Sequence, residues 1–453
     1  MMRFVNAASL IIEEQPMSDI SRIFNAQRAH KWVVKNSTVA ERKAKLGRLK
    51  QAVLANSDAI RLALYADLRK PEAESAGEIG SVENDINDAL EHIDSWMAPV
   101  EITPNPVFAG ARARITYEGR GVCLVFGPWN FPFQLLLEPL VPVIAAGNTA
   151  ILKPNELAPE TSRVSARIIR EVFDEKEIAV FEGGIELAND LLALPVDHVF
   201  FTGSPKVGRV VMGAAARHLA SVTLELGGKC PVVLDETTDL AAAAATIAAA
   251  RCYNSGQVCL CPDVAWVPTA RREALVGHLQ AAVNGALYRD GKLDKSSYGR
   301  IVDRRNFDRV KGYLDDALAR GAKIAFGGTT EAEDLTIHPT VLLDVPADAR
   351  IMHEEVFGPV LSVMTFDAPA QVCAAVQAGG KPLAMYVYSN DEAFVRTIID
   401  NTSSGGVTVN GWAMHWIEPQ LPFGGVNESG IGRYHGIHGF RELSHERSVF
   451  VLP

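Results

Sequence analysis

Four short stretches carry side chains that could do chemistry together. The first is Tyr253-Asn-Ser-Gly-Gln-Val-Cys259-Leu-Cys261-Pro-Asp263. A turn opened by Asn254, Ser255 and Gly256 can aim the Cys259 thiol into a cleft. A thiolate is a nucleophile toward carbonyl carbon. A free thiol has a pKa of about 8.5, so such a site must favour the ionised form. The second stretch is Phe126-Gly-Pro-Trp129-Asn130-Phe-Pro-Phe133. The Asn130 amide could hold a fixed N–H toward an oxyanion. The third, Glu225-Leu-Gly-Gly-Lys229, offers a carboxylate able to take a proton from water. The fourth is His353-Glu-Glu355-Val-Phe357-Gly-Pro359. Each has a plainer reading when taken alone. Cys259 could be a small core side chain, Asn130 a turn residue, and Glu225 a solvated strand end.

The surrounding pattern supplies elements that could position them. From Val122 onward, apolar runs alternate with helical segments: Val122–Phe126, Thr149–Lys153, Ile178–Glu182 and His198–Thr202 read as strands. Helices are expected over 133–146, 159–173, 186–192 and 205–216. Such alternation predicts βαβ units on a parallel sheet, with ligands at the carboxyl ends of its strands. Gly203-Ser204-Pro205-Lys206-Val207-Gly208 then lies between a strand and a helix, whose free N–H groups suit a pyrophosphate. A second alternation starts near Cys230, with strands at 231–234 and 263–267 flanking an alanine-rich helix over 239–251. Residues 20–97 read as helices, with one periodic apolar run from Val39 to Leu68 and another from Ser75 to Met97. Three prolines between Pro99 and Pro106 end that region. An extended segment at 111–118 follows, and Ser448–Leu452 could pair with it.

Composition narrows the class. The chain has 453 residues, enough for two or three domains with large cores. A net charge of −10 argues against nucleic-acid binding. Six cysteines without framework spacing fit free thiols in a reducing cytoplasm. Cys259-x-Cys261 has no neighbouring CxxC or clustered His, so no metal is expected. The apolar patch Ala7–Ile12 ends at Glu13 and Glu14, too short to span a membrane. Residues 1–17 are expected to be a flexible leader, with Met17 as an alternative start.

In this order, and with Leu421-Pro-Phe-Gly-Gly-Val-Asn-Glu-Ser-Gly-Ile-Gly-Arg-Tyr-His435-Gly closing the chain, the four stretches resemble the aldehyde dehydrogenase superfamily. The branch resembled is class 3, which includes coniferyl aldehyde and benzaldehyde dehydrogenases. The resemblance runs from about Ser18 to the C-terminus. It implies an α/β fold: a Rossmann-like NAD-binding domain (18–97 and 121–228), an α/β catalytic domain (229–410), and a small β oligomerisation arm with bridging segments (98–120 and 411–453). It implies Cys259 as nucleophile, Asn130 as oxyanion donor and Glu225 as general base. Trp129, Lys153, Glu156, the Gly203–Gly208 turn, Glu355 and Phe357 would hold the dinucleotide, NAD with NADP possible. Lys153 and Glu156 would grip the adenosine ribose.

Phe131, Trp412, His415 and Trp416 would line the substrate tunnel and suit an aromatic or long apolar aldehyde. His435 matches no catalytic position. The expected partner is a small aldehyde, with no nucleic acid and no membrane, in a cytoplasmic homodimer. An aliphatic or semialdehyde dehydrogenase and a non-redox thiol esterase or acyl transferase are the alternatives. The chain departs from the family pattern at Val258 (often Thr), Phe131 (often Tyr) and Cys261 (usually Ala). Cys261 is either a small core side chain or a thiol able to trap an oxidised Cys259.

Overall fold

The structure, a computed structural model, describes residues 19–453. The expected leader at 1–17 lies outside the described residues. The described residues open with four helices, Asp19–Lys35, Val39–Ala55, Ser57–Leu68 and Glu72–Met97. A capping box starts the second: the Thr38 side chain accepts from the Glu41 N–H (3.3 Å), and Glu41 accepts from the Thr38 N–H (2.7 Å). The single apolar run from Val39 to Leu68 is in fact two helices. Asn56 breaks it by turning its amide back onto the Ala52 carbonyl, 2.8 Å away. Leu46, Leu49, Val53, Ile60 and Leu64 stay buried on both sides of the break.

The first large sheet has six strands in the order Gly430–Ile431, Ser221–Glu225, His198–Thr202, Val122–Phe126, Thr149–Lys153 and Ile178–Val180. All neighbours are parallel except the short Gly430–Ile431 pair. The strand order reverses at Val122–Phe126, so a crevice opens beyond the carboxyl ends of that strand and His198–Thr202. The helical run expected over 133–146 is split into Gln134–Leu137 and Leu140–Ala146. Pro139 has no N–H to continue the ladder.

The second sheet has seven strands in the order Lys323–Phe326, Thr340–Leu343, Val360–Phe366, Pro262–Pro268, Cys230–Leu234, Ala384–Tyr388 and Gly406–Val409. Only Lys323–Phe326 runs antiparallel. The helix Leu240–Cys252, capped by Asp239, links Cys230–Leu234 to Pro262–Pro268. A third, three-stranded sheet joins Val100–Ile102 and Arg112–Gly119 to Ser444–Val451, with Arg112 opposite Val451 and Gly119 opposite Ser444. The expected pairing of the arm with the C-terminal strand is therefore present. Among the described residues, no helix is long and apolar enough to cross a membrane.

Candidate active site

The site forms where the carboxyl edge of the six-stranded sheet faces the amino edge of the seven-stranded one. Asn130, Lys153, Gly203 and Glu225 follow or end strands of the first, and Cys259 precedes the strand Pro262–Pro268 of the second.

The loop carrying Cys259 is tightly wound. Asn254, Ser255 and Gly256 are consecutively left-handed, with φ of 47°, 52° and 73°. Such geometry costs of order 1–3 kcal/mol at each non-glycine residue and needs outside support. Gln257 supplies part of it. Its amide donates to the Asn254 carbonyl (2.9 Å) and the Arg300 carbonyl (3.0 Å), and its Oε1 accepts from the Val302 N–H (3.0 Å). A Cβ at Gly256 would run into the Gly358 carbonyl oxygen, so only glycine fits there.

Cys259 is half-buried on this loop. Burial, then the carboxyls of Glu355 and Glu225, push its thiol up, while the Cys259 and Leu260 N–H groups pull the other way. Cys230 lies beneath, its thiol donating to the Cys259 carbonyl at 3.3 Å. Cys261 is buried and engaged elsewhere: Arg251 donates to its sulfur at 3.3 Å. Arg251 also donates to the Pro262 and Gly358 carbonyls, tying the loop to the Glu355 segment.

Asn130 is laced to the same loop. Its amide donates to the Gln257 carbonyl (3.0 Å), and its carbonyl accepts from the Asn254 amide (2.8 Å). A side-chain amide has two hydrogens, so one remains for an oxyanion. Glu225 is only 3% exposed, and neither carboxyl oxygen bonds to any described residue. Gly424 leaves it room, since a Cβ there would sit 3.0 Å from Glu225 Oε1. Burial pushes this carboxyl well up; Arg433 opposes and Glu442 adds to the rise. Glu355 packs against Gly227, where a Cβ would collide with its carboxylate. Burial, then Asp263, raises Glu355 to about 8. Phe357, left-handed at φ 46°, meets the Trp129 ring edge-on with centroids 5.3 Å apart.

On the far side of the crevice, Lys153 Nζ lies 2.5 Å from Glu156 Oε2. Ser204 caps the helix Pro205–Ala216, accepting from the Val207 N–H at 3.4 Å, and Pro205 takes the first helical position. No acidic residue occupies that helix's first turn, so its free N–H groups can meet an anion without competition. Gly208 allows close approach to Leu226, whose Cδ2 would lie 2.8 Å from an added Cβ. These residues suit the diphosphate and ribose of a dinucleotide.

An apolar wall flanks Cys259. Phe131 stacks on Tyr253 (6.0 Å), Tyr253 meets Trp412 (5.9 Å), and Trp412 Nε1 donates to the Leu260 carbonyl (2.9 Å). Trp416 meets His435 edge-on. His415 sits in the layer behind: its Nδ1 lies 2.8 Å from Thr408 Oγ1, its ring stacks on Phe423, and burial lowers it to about 4. Several residues here escape sequence reading, among them Lys70, Glu74, Glu78, Arg251, Gln257 and Tyr253. The available signal was charge on a buried helix stripe: Glu74 and Glu78 stand four residues apart among Ile79, Val82 and Ile86. Among the described residues no group of His, Cys, Asp or Glu could hold a metal.

The family model for the aldehyde dehydrogenase family matches residues 12–449. A 4,4'-diaponeurosporen-aldehyde dehydrogenase of Staphylococcus aureus is 39% identical, over 96% of this chain and 93% of that protein. Aldehyde dehydrogenase family 3 member F1 of Arabidopsis thaliana is 38% identical, over 90% of this chain and 85% of its own length. The solved structure of a substrate-bound Staphylococcus aureus AldH superposes with a TM-score of 0.92 at 37% identity, covering 96% of this chain and 94% of that one. With an α/β fold of this form and relatives along nearly its whole length, the chain belongs to the aldehyde dehydrogenase family, in its class 3-like branch.

Proposed function

We propose that the chain oxidises an aromatic or long apolar aldehyde to its carboxylic acid, with NAD preferred over NADP. The observation that carries this reading is the buried Glu225 carboxyl beside the Cys259 loop, hydrogen-bonded to none of the described residues. An unpartnered buried carboxyl costs stability and is retained where chemistry needs it. The Cys259 thiol, which burial holds protonated, first releases its proton to solvent, and the thiolate then attacks the aldehyde carbon. The new oxyanion takes the free Asn130 N–H and the Cys259 backbone N–H, giving a thiohemiacetal. Lys153 and Glu156, the Gly203–Gly208 turn, Trp129, Glu355 and Phe357 would hold the dinucleotide. When bound, its nicotinamide supplies the hydride acceptor that turns the thiohemiacetal into a thioester. Glu225 then takes a proton from water, the hydroxide adds to the thioester carbon, and the Cys259 thiolate leaves.

The stacked Phe131, Tyr253 and Trp412 support a flat or extended apolar substrate. Glu156, held against Lys153, would accept from a ribose 2′-hydroxyl and repel a 2′-phosphate. The six-stranded sheet with residues 18–97 would be the NAD-binding domain and 229–410 the catalytic domain. The bridging segments at 98–120 and 411–453 include Ser444–Val451, whose outer edge is open for a second subunit in a homodimer. All six cysteines are free, in keeping with a cytoplasmic location. The test is NADH absorbance at 340 nm with benzaldehyde-type, long-chain, short aliphatic and semialdehyde substrates. The expected kcat/KM order puts the first two above the others, and NAD above NADP. Preference for a short semialdehyde, or for NADP, would overturn the corresponding half.

A further inference from the structure

The helix Glu72–Met97 buries two carboxylates one turn apart, Glu74 (9% exposed) and Glu78 (0%), just after a buried Lys70 (1%). Charges this deep are normally held in service of something, because an unpaired one is expensive. Each carboxylate grips a different loop of the site. Glu78 pairs with Lys70 through one oxygen, and with the other accepts the backbone N–H groups of Phe133 (3.3 Å) and Gln134 (3.1 Å), on the loop that carries Asn130. Glu74 Oε2 accepts the backbone N–H of Asn254 (3.0 Å), the first left-handed residue of the Cys259 loop. Lys70 lies 3.8 Å from the Phe131 ring centroid, between the two grips. Gly77 leaves room for Tyr253: a Cβ there would sit 2.9 Å from the Tyr253 hydroxyl. Asn254 then joins the loops to each other through Asn130 and Gln257.

We propose that Glu74 and Glu78 are positioning residues that together fix the spacing between the nucleophile and the oxyanion donor. Glu74 acts through Asn254 on the Cys259 loop and Glu78 through Phe133 and Gln134 on the Asn130 loop. Neither touches substrate. The inference rests on the assignment of Cys259 and Asn130 given above. Its physical content is that an oxyanion donor is effective only when aimed at the position where the oxyanion forms.

The test is a double-mutant cycle on the full-length enzyme, with NAD and benzaldehyde. Glu74→Ala should lower kcat/KM about 10- to 100-fold, chiefly through kcat, as expected of a small misplacement. Dinucleotide affinity, read by fluorescence titration, should stay at the parental value. Glu74→Gln keeps an oxygen acceptor and should recover most of the loss. Glu74→Asp keeps charge and burial but shortens the reach by one methylene, and should lower kcat with little change in Tm, which covers the case of an Ala variant that does not fold. In an Asn130→Ala background, Glu74→Ala should cost no more than about two-fold, because the nucleophile-to-donor spacing it helps to fix no longer has a donor to serve. The same fold-loss in both backgrounds overturns the proposal, as does parental activity in Glu74→Ala and Glu74→Asp. Parental activity in Asn130→Ala would overturn the oxyanion assignment and the proposal with it. Loss in Asn130→Ala alongside unaffected Glu74 variants overturns the proposal alone.

Discussion

Cys259 lies near two carboxyls, Glu355 and Glu225, that both raise its thiol, and both carboxyls are themselves raised. Burial comes first in each case. If Cys259 is the nucleophile proposed above, Cys259→Ala should drop NADH formation by about a thousand-fold or more while dinucleotide binding persists. Glu225→Gln should spare the first turnover, giving a burst of NADH followed by slow release of acid, seen by stopped flow. The sign of the pH effect follows from the base role. A carboxyl pushed up by burial holds its proton at low pH and can accept one only after losing it, so parental kcat should climb as pH rises through the raised pKa. Glu225→Gln should flatten that climb. Cys261 makes the opposite case. Its sulfur is buried and takes an N–H from Arg251, so Cys261→Ala should inactivate in peroxide as the parent does, with no Cys259–Cys261 peptide by mass spectrometry. Cys259, Asn130 and Glu225 are singled out in the sequence by the family-like motifs around them, since each alone has a plainer reading. Glu74 does not, because a glutamate on a helix ordinarily faces water, and only the three-dimensional path of the Asn254 loop makes it a hydrogen-bond acceptor.

At the scale of elements, strands were easier to read than helix breaks. Val122–Phe126, Thr149–Lys153 and His198–Thr202 are fully or mostly buried parallel strands whose apolar runs end at loops. The breaks at Asn56 and Pro139 disturb the backbone for a residue or two without disturbing the apolar period, and periodicity is insensitive to that. Ala384–Tyr388 is buried at every position, a continuous run that fits a strand or a core helix equally well from sequence. The loop carrying Cys259 depends on Gly256 at φ 73° against the Gly358 carbonyl. Gly256→Ala is expected to cost roughly 1–3 kcal/mol, measured by urea unfolding. It should also lower activity beyond the loss of folded enzyme, because relief comes only by pushing the Glu355 segment away.

For the whole molecule, burial makes several carboxyls keep their protons to higher pH than an exposed carboxyl does. Glu74 is raised to about 7 and Glu355 to about 8 from an ordinary 4.5, with burial the first cause in both. Glu138, buried beside Asp85 and bonded through one oxygen to Ser81 (2.5 Å), is raised too; burial comes first, then Asp85, with His435 opposing. Each folded-state pKa lies above its unfolded value, so this contribution to stability is full below about pH 4.5 and is lost as pH rises toward 8. His198 and His415 act in the other direction. Burial lowers them to about 3 and about 4, so their contribution is present above pH 6.5 and lost as pH falls. A stability maximum between the two limbs follows. Glu138→Gln should match the parent near pH 5 and exceed its Tm near pH 8, flattening the alkaline slope by up to about 1.4 kcal/mol per pH unit. Calorimetry across pH 5–8 checks it. The two-sheet plan and the arm were legible from alternation and family likeness. These buried carboxyls were not, since their depth depends on how separate helices close over them.

The pairing of Arg112–Gly119 with Ser444–Val451 also has a consequence for how the chain is made. Thr116 and Arg447, bonded across that ladder, stand 331 residues apart. Arg120 likewise reaches Glu442, and Asn148 reaches Leu443. At roughly 5–20 residues per second, a nascent chain would expose the first strand's edge for many seconds before its partner emerges. Pairing of the arm is thus deferred until Ser444–Val451 has been made and has emerged. A chain stopped before Ser444 is expected to keep both large sheets yet present a bare, twisted ribbon that recruits chaperones or aggregates.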